Sequence, residues 1–191
     1  MKTIYLVRHG QTFFNLHQKV QGRVDSPLTE LGIRQAQKAR EWFQKNNIEF
    51  DMAFCSTQER ASDTLEIVTD NKLAYKRMKD LREKSYGMYE GQDQYTLPWH
   101  YGESRDFVAS MEPDHEVVAR MEKAMVKILK EAIHAQTILI VGHGDILAQY
   151  IRRHDSGRNF SSLANCEIAK LSENDGKVEL VDTVWPARNL E

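Results

Sequence analysis

Thr3-Ile4-Tyr5-Leu6-Val7 runs without a break into Arg8-His9-Gly10, and far along the chain Thr137-Ile138-Leu139-Ile140-Val141 runs in the same way into Gly142-His143-Gly144. Each is a short apolar, β-branched run, the mark of a buried strand. Each ends on a histidine flanked by glycine, and glycine removes a side chain that would block the approach of a ligand to the backbone. An isolated histidine of this kind is usually structural or exposed. Two at equivalent strand ends, one preceded by arginine, point instead to a shared site.

Working outward from these runs, the spacing predicts a helix over Leu28–Phe43, with Leu28, Leu31, Ala36, Ala39 and Phe43 on one side and Thr29 as its N-cap. A strand is expected at Phe50–Cys55, a helix at Gln58–Val68 and a short strand at Leu73–Tyr75. His115–Ile133 has Val118, Met121, Met125 and Leu129 at helical spacing, and Ile146–Arg153 is a further helix. Ala164–Leu171 and Val178–Val184 form two more strands about the Asn174-Asp175-Gly176 turn. Strands alternating with helices imply an α/β fold, a three-layer α/β/α sandwich around a mostly parallel sheet. Ligands bind such sheets outside the carboxyl ends of the strands, where both histidines fall.

The chain of 191 residues reads as one domain over 1–191. Between Met88 and Pro113 no clean period is found, and this excursion, which holds Trp99 and Tyr101, is expected to cover a pocket and to set specificity. Phe13 and Phe14 join those aromatics as candidates for an apolar wall. The 41% hydrophobic and 28% charged residues exclude a disordered chain. No apolar run approaches the roughly 20 residues of a membrane span, and the N-terminus lacks a signal-peptide pattern, so a cytoplasmic location is the expectation. A net charge of −2 argues against nucleic acid or an anionic membrane as partner, and the Arg152–Arg153 pair reads as solvated surface. A homo-oligomer is left open. Cys55 and Cys166, the two cysteines, are expected as reduced thiols. There is no HExxH, HxH or Asp-rich loop, so neither a metal nor another cofactor is expected.

A phosphate monoester is a dianion, and arginine's planar fork matches its oxygens. Arg8 adjoins His9, and Arg60 follows the strand ending at Cys55. With these residues in view the chain resembles the histidine phosphatase superfamily, also called the phosphoglycerate mutase-like family. The hallmark LxRHGxTxxN stands as Leu6-Val7-Arg8-His9-Gly10-Gln11-Thr12-Phe13-Phe14-Asn15. Gln21-Gly22, Pro27-Leu28-Thr29-Glu30-Leu31-Gly32, Cys55-Ser56-Thr57-Gln58-Glu59-Arg60-Ala61, Leu81-Arg82-Glu83 with Gly87 and Glu90-Gly91, and Val141-Gly142-His143-Gly144 follow in the family's order.

The resemblance implies the phosphoglycerate mutase-like fold and a metal-independent phosphomonoester hydrolase of the histidine acid phosphatase type, acting on a small phosphorylated metabolite. His9 would form a phosphohistidine, dividing one difficult step into two. Arg8, Arg60 and His143 would hold the phosphoryl oxygens. Glu83 would protonate the leaving oxygen, with Glu90 and Glu103 as weaker contenders and Glu90 more suited to bracing the turn at Gly91. Asn15 and Gln21-Gly22 would add neutral hydrogen bonds. Cofactor-dependent phosphoglycerate mutase is the alternative, but the mutase insertion with its paired arginines is missing. Arg105 is the only arginine between Glu83 and Arg120, and Asp145 stands where the mutase motif HGNSLR has asparagine. A catalytically idle phospho-ligand-binding protein is a third reading, disfavoured because His9 and Glu83 are both present.

Overall fold

A computed structural model describes residues 1–102, 108–157 and 159–190. Its elements run β1 (Lys2–Arg8), α1 (Phe13–Leu16), α2 (Glu30–Lys45), β2 (Met52–Ser56), α3 (Glu59–Thr69), β3 (Tyr75–Met78), α4 (Asp114–Glu131), β4 (Thr137–Gly142), α5 (Gly144–Arg153), β5 (Ile168–Asn174) and β6 (Lys177–Val184). The strands form a six-stranded sheet in the order β3-β2-β4-β1-β5-β6. The pairs β2–β3, β2–β4 and β1–β4 are parallel, whereas β5 is antiparallel to both β1 and β6.

The alternation of side chains along each strand makes the layers. Ile4, Leu6, Phe54, Ile138 and Ile140 point to one face, against Met121, Met125 and Ile128 of α4 and Leu147, Tyr150 and Ile151 of α5. Tyr5, Val7, Ala53, Cys55, Leu139 and Val141 point to the other, against Ala36, Ala39 and Phe43 of α2 and Ala61, Leu65 and Val68 of α3. The three-layer α/β/α sandwich expected from the sequence is therefore observed. Both cysteines are buried and free, and burial pushes the Cys55 thiol up to about 12. No helix among the described residues is long and apolar enough to cross a membrane.

The helix caps follow local chemistry. Thr29 precedes α2, and its hydroxyl accepts a hydrogen bond from the Gly32 N–H at 3.0 Å. Asp175 and Gly176 both take positive φ, so the β5–β6 hairpin closes through a turn whose twist matches the strands.

Two expected strands shift, and one short helix was not expected. The third strand begins at Tyr75, where the expected one ended, because it is an edge strand with exposed Lys76 and Arg77 at its centre and no apolar pattern to read. The strand expected from Ala164 begins at Ile168. Before it the chain turns through Cys166, whose φ is 56°, and its N–H donates to the Arg8 carbonyl at 3.0 Å. The four-residue helix α1 carries no apolar period and is made by a cap: the Thr12 hydroxyl accepts from Asn15 N–H, while Asn15 Oδ1 accepts from Thr12 N–H. The Met88–Pro113 segment contains short 3₁₀ turns at Gln94–Thr96 and Pro98–Tyr101. Glu103 and Arg105 lie outside the described residues.

Candidate active site

β1 and β4 are neighbours, paired so that Arg8 stands opposite Gly142. The residues that follow, His9 and His143, are thereby brought side by side, with ring centroids 5.2 Å apart. Both are buried. Glycine next to His9 serves packing rather than ligand approach: a Cβ on Gly10 would lie 2.5 Å from the backbone oxygen of Gly32, where the loop sits on α2. Gly144 lines the cavity, and a Cβ there would press on the Arg8 guanidinium at 3.3 Å.

His9 is oriented from both ring nitrogens. Its Nδ1 lies 2.8 Å from the Gly10 carbonyl, an acceptor only, so Nδ1 carries the proton and Nε2 the lone pair. Arg60 Nε–H donates to Nε2 at 3.2 Å. Burial first, then the charges of Arg60 and Arg8, hold the imidazole well below the ordinary histidine value, so it is neutral. The Asn165 amide donates to the His9 carbonyl at 2.8 Å and fixes the loop from behind. His143 differs. Neither of its ring nitrogens has a hydrogen-bond partner among the described residues, and burial together with Arg60 holds it neutral as well.

Arg60 is almost wholly buried and yet charged. It donates to the carbonyls of Gly22 (2.9 Å) and Val24 (3.1 Å) and pairs with Asp25 at 2.9 Å. A buried charge is tolerable only when paired and hydrogen-bonded in this way. Gly22, at φ +53°, leaves room for Glu90, whose Oε1 would be 2.5 Å from a Cβ there. Glu90 accepts from Ser85 Oγ and Tyr86 N–H and so braces that segment, not the turn at Gly91.

Glu83 sits at the N-terminus of α5. Its carboxylate accepts the N–H of Asp145 at 3.0 Å and of Ile146 at 3.1 Å. Those bonds and Arg60 favour the ionised form, but burial and then the Asp145 carboxylate outweigh them and raise the Glu83 pKa.

These groups meet in one cavity of about 410 Å³. Arg8, His9, Asn15, Gln21, Gly22, Arg60 and Glu83 line it, while His143 is buried beside His9 and is not part of the lining. Asn15 commits its carbonyl oxygen to Thr12 and keeps an amide donor. The buried Gln21 Nε2 has no acceptor among the described residues. Buried donors left unpaired in this manner suit an anion. The carbonyl of Gly22 is committed to Arg60 and Gln58, so on that side it holds the arginine.

Read against the model of the histidine phosphatase superfamily (branch 1), the chain matches over residues 4–185. The chain belongs to the histidine phosphatase superfamily. Among superfamily relatives, "Uncharacterized phosphatase PhoE" of Bacillus subtilis (strain 168) is 33% identical, covering 75% of this chain and 72% of the relative. A 2,3-bisphosphoglycerate-dependent phosphoglycerate mutase of Methylorubrum populi is 28% identical over 88% of this chain and 85% of its own. The crystal structure of phosphoglycerate mutase from Bacillus anthracis str. Sterne superposes with a TM-score of 0.87 at 25% identity, covering 100% of this chain and 97% of that one. YhfR of Bacillus stearothermophilus gives 0.84 at 25% identity, covering 94% and 95%.

Several residues on this superfamily member's cavity wall carry no signal in the sequence reading. Tyr86, Gln94, Leu97, Ser161 and Ser162 line the cavity from scattered positions, and Asp25 supports Arg60 from a loop. Arg152, read as solvated surface, is exposed but lines the cavity. The expected aromatic wall is not observed. Phe13 and Tyr101 are largely exposed, Trp99 packs on the small cluster of Val20, Leu97 and Met111, and none of Phe13, Phe14, Trp99 or Tyr101 lines the cavity. Among the described residues no group of three or more histidine, cysteine or acidic side chains could hold a metal ion.

Proposed function

We propose that this chain is a metal-independent phosphomonoesterase of the histidine acid phosphatase type that acts on a small phosphorylated metabolite through a phosphohistidine at His9. The observation that carries the reading is His9 itself: neutral, with Nδ1–H held by the Gly10 carbonyl and the Nε2 lone pair on the arginine side of the cavity. Nε2 attacks phosphorus, the P–O ester bond breaks, and the protonated Glu83 carboxyl gives its proton to the departing alkoxide. Glu83, now ionised, takes a proton from water as the resulting hydroxide attacks phosphorus. The P–N bond breaks, and His9 and inorganic phosphate are released. Arg8, Arg60 and His143 stabilise the equatorial oxygens, and Asn15 and Gln21 donate from the rim. Arginine supplies the positive charge that a metal supplies elsewhere.

Phosphoglycerate mutase is the second reading, favoured by the mutases among the relatives and neighbours. Against it, the Asp145 carboxylate lines the cavity, where it repels a substrate with a carboxylate next to its phosphoryl group. The Met88–Pro113 segment contributes Gln94 and Leu97 to the wall, which supports a part for it in specificity.

The test is hydrolysis of p-nitrophenyl phosphate in excess EDTA, with mutase activity on phosphoglycerate measured alongside. EDTA-resistant hydrolysis that falls by about 10⁴-fold or more in His9→Ala is expected. Dominant mutase activity would establish the second reading, and binding without any turnover an idle phospho-ligand-binding protein.

A further inference from the structure

The phosphoryl-binding groups account for only part of the cavity wall, and the volume of about 410 Å³ is in the range that encloses a whole small molecule. Helix α5 runs from Glu83, whose carboxylate takes the N–H groups of Asp145 and Ile146, to the exposed Arg152. Gly144, Asp145, Ala148 and Arg152 all line the cavity, and the last three fall at i, i+3 and i+7, one stripe of one helix face. Seven residues of α-helix advance about 10 Å. The stripe therefore presents a carboxylate beside the reacting groups, a methyl group in the middle and a guanidinium at the rim.

The two charged ends are held differently. Asp145 is fixed: its carboxylate accepts the Tyr86 hydroxyl at 3.0 Å and the Gln149 amide at 3.3 Å. Arg152 is exposed and engages no hydrogen-bond or ion-pair partner among the described residues. Lys19, the other cation on the wall outside the phosphoryl site, is paired with Asp93 at 2.7 Å. Among the described residues, one uncommitted cation thus faces the cavity, a helix length away from the phosphoryl site, with a fixed anion between.

We infer that the substrate is a phosphomonoester bearing a second anionic group about 10 Å from the scissile phosphoryl, received by Arg152, while Asp145 rejects phosphomonoesters whose second anion lies close to the first. This rests on the phosphatase reading above and narrows its substrate class. Repulsion near the reacting centre and attraction far from it select for length as well as charge, since specificity is a difference between affinities.

The test uses pairs of synthetic phosphomonoesters that differ in the far group alone: phosphonooxyhexanoate against hexyl phosphate, and phosphonooxypropanoate against propyl phosphate. Hexanediyl bisphosphate asks whether the far anion is carboxylate or phosphoryl; whichever six-carbon compound gains more names the group. In wild type the six-carbon carboxylate is expected to exceed hexyl phosphate in kcat/KM by about twofold to fivefold, the size of one exposed ion pair. The three-carbon carboxylate is expected to fall below propyl phosphate. Arg152→Gln should bring the six-carbon ratio close to one, whereas Arg153→Gln, a neighbouring cation off the cavity, should leave it as it is. A six-carbon ratio near one in wild type, or an advantage that survives Arg152→Gln, overturns the inference, and turnover of p-nitrophenyl phosphate in the same preparation would show that the phosphatase reading still stands. If nothing at all is hydrolysed, that reading fails instead, and calorimetric binding of the same six-carbon pair decides. Tighter binding of the carboxylate that Arg152→Gln abolishes supports the inference, and equal binding overturns it.

Discussion

The loops after β1 and β4 begin from the same geometry, since adjacent parallel strands in register deliver a histidine each to the same end of the sheet. They then diverge. After β1 the chain is pinned on every side: Gly10 packs on Gly32, the Asn165 amide holds the His9 carbonyl, and both ring nitrogens of His9 have partners. After β4 the chain enters α5 at once, and the imidazole of His143 is buried with both nitrogens unpaired among the described residues. The difference fits the two roles proposed for these histidines, which need two kinds of preorganisation. A nucleophile needs one tautomer and one direction of its lone pair, which hydrogen bonds supply before the substrate arrives. A group that donates to a developing charge needs a vacant hydrogen-bonding position, and burying it unpaired makes the incoming anion its best partner.

Exchanging the two roles gives the largest expected effect. His143→Ala should lower kcat by about 10²–10³-fold, as the loss of one oxyanion donor does. Unlike His9→Ala, it should still form a covalent phosphoenzyme, and acid-quench trapping of labelled phosphate is the measurement. Absence of any trapped phosphohistidine in His143→Ala, in protein that remains folded, would erase the distinction between the two loops.

The packing contrast comes next. Gly10→Ala drives a Cβ into the Gly32 backbone, which cannot move aside, and should cost about 1–3 kcal/mol of stability. Gly142→Ala meets only the tip of the Leu147 side chain at 3.2 Å and should cost less than about 1 kcal/mol. Denaturant melts of both variants rank the two, and equal costs would mean that the β1 loop is no more tightly built than the β4 loop.

The smallest effect lies in the pH profile. His9, depressed by burial and arginine, stays a neutral nucleophile below the ordinary histidine range, and Glu83, raised by burial and Asp145, stays an acid above the ordinary carboxyl range. The kcat/KM profile should therefore have its acid limb below about 6.5 and its alkaline limb above the usual glutamate value. Asp145→Asn removes one cause of the Glu83 shift and should move the alkaline limb to lower pH, leaving the acid limb in place. Stability carries the same signature from the histidines. Their folded-state values are depressed, so the stability they contribute is complete above the ordinary histidine value and is lost as pH falls from there toward the folded values. Melting temperatures of wild type and His143→Ala from neutral to acidic pH should converge as that loss sets in.

Much of this was legible before any coordinate. Ile138 and Ile140 face one layer and Leu139 and Val141 the other, and a run apolar at every position says that both faces of its strand are covered. Thr29, three residues before Gly32, announced its helix start. The strand ends announced themselves too, because each apolar run gives way to polar residues and glycine, Arg8-His9-Gly10 and Gly142-His143-Gly144. What stayed hidden had contacts in place of patterns. Arg152 looks like any arginine late in a surface helix until α5 is laid along the cavity. Asp25 supports Arg60 from a loop whose composition is ordinary. Phe13 and Tyr101 misled for the converse reason: an aromatic residue in an irregular segment signals burial, pocket or exposure with the same letter, and here both lie in solvent.

By itself, the sequence determined the elements, the layers, the end of the sheet where the two histidines meet and the side chains proposed to react there. Each of those depends on local spacing or on a residue type that few other chemistries require. Tertiary structure alone decided the surroundings of each side chain: which histidine has an oriented lone pair, which carboxylate is buried enough for its pKa to rise, and which arginine is buried and paired and which is exposed without a partner among the described residues. Those properties are set by desolvation and by neighbours from distant parts of the chain, and neither exists until the chain has folded.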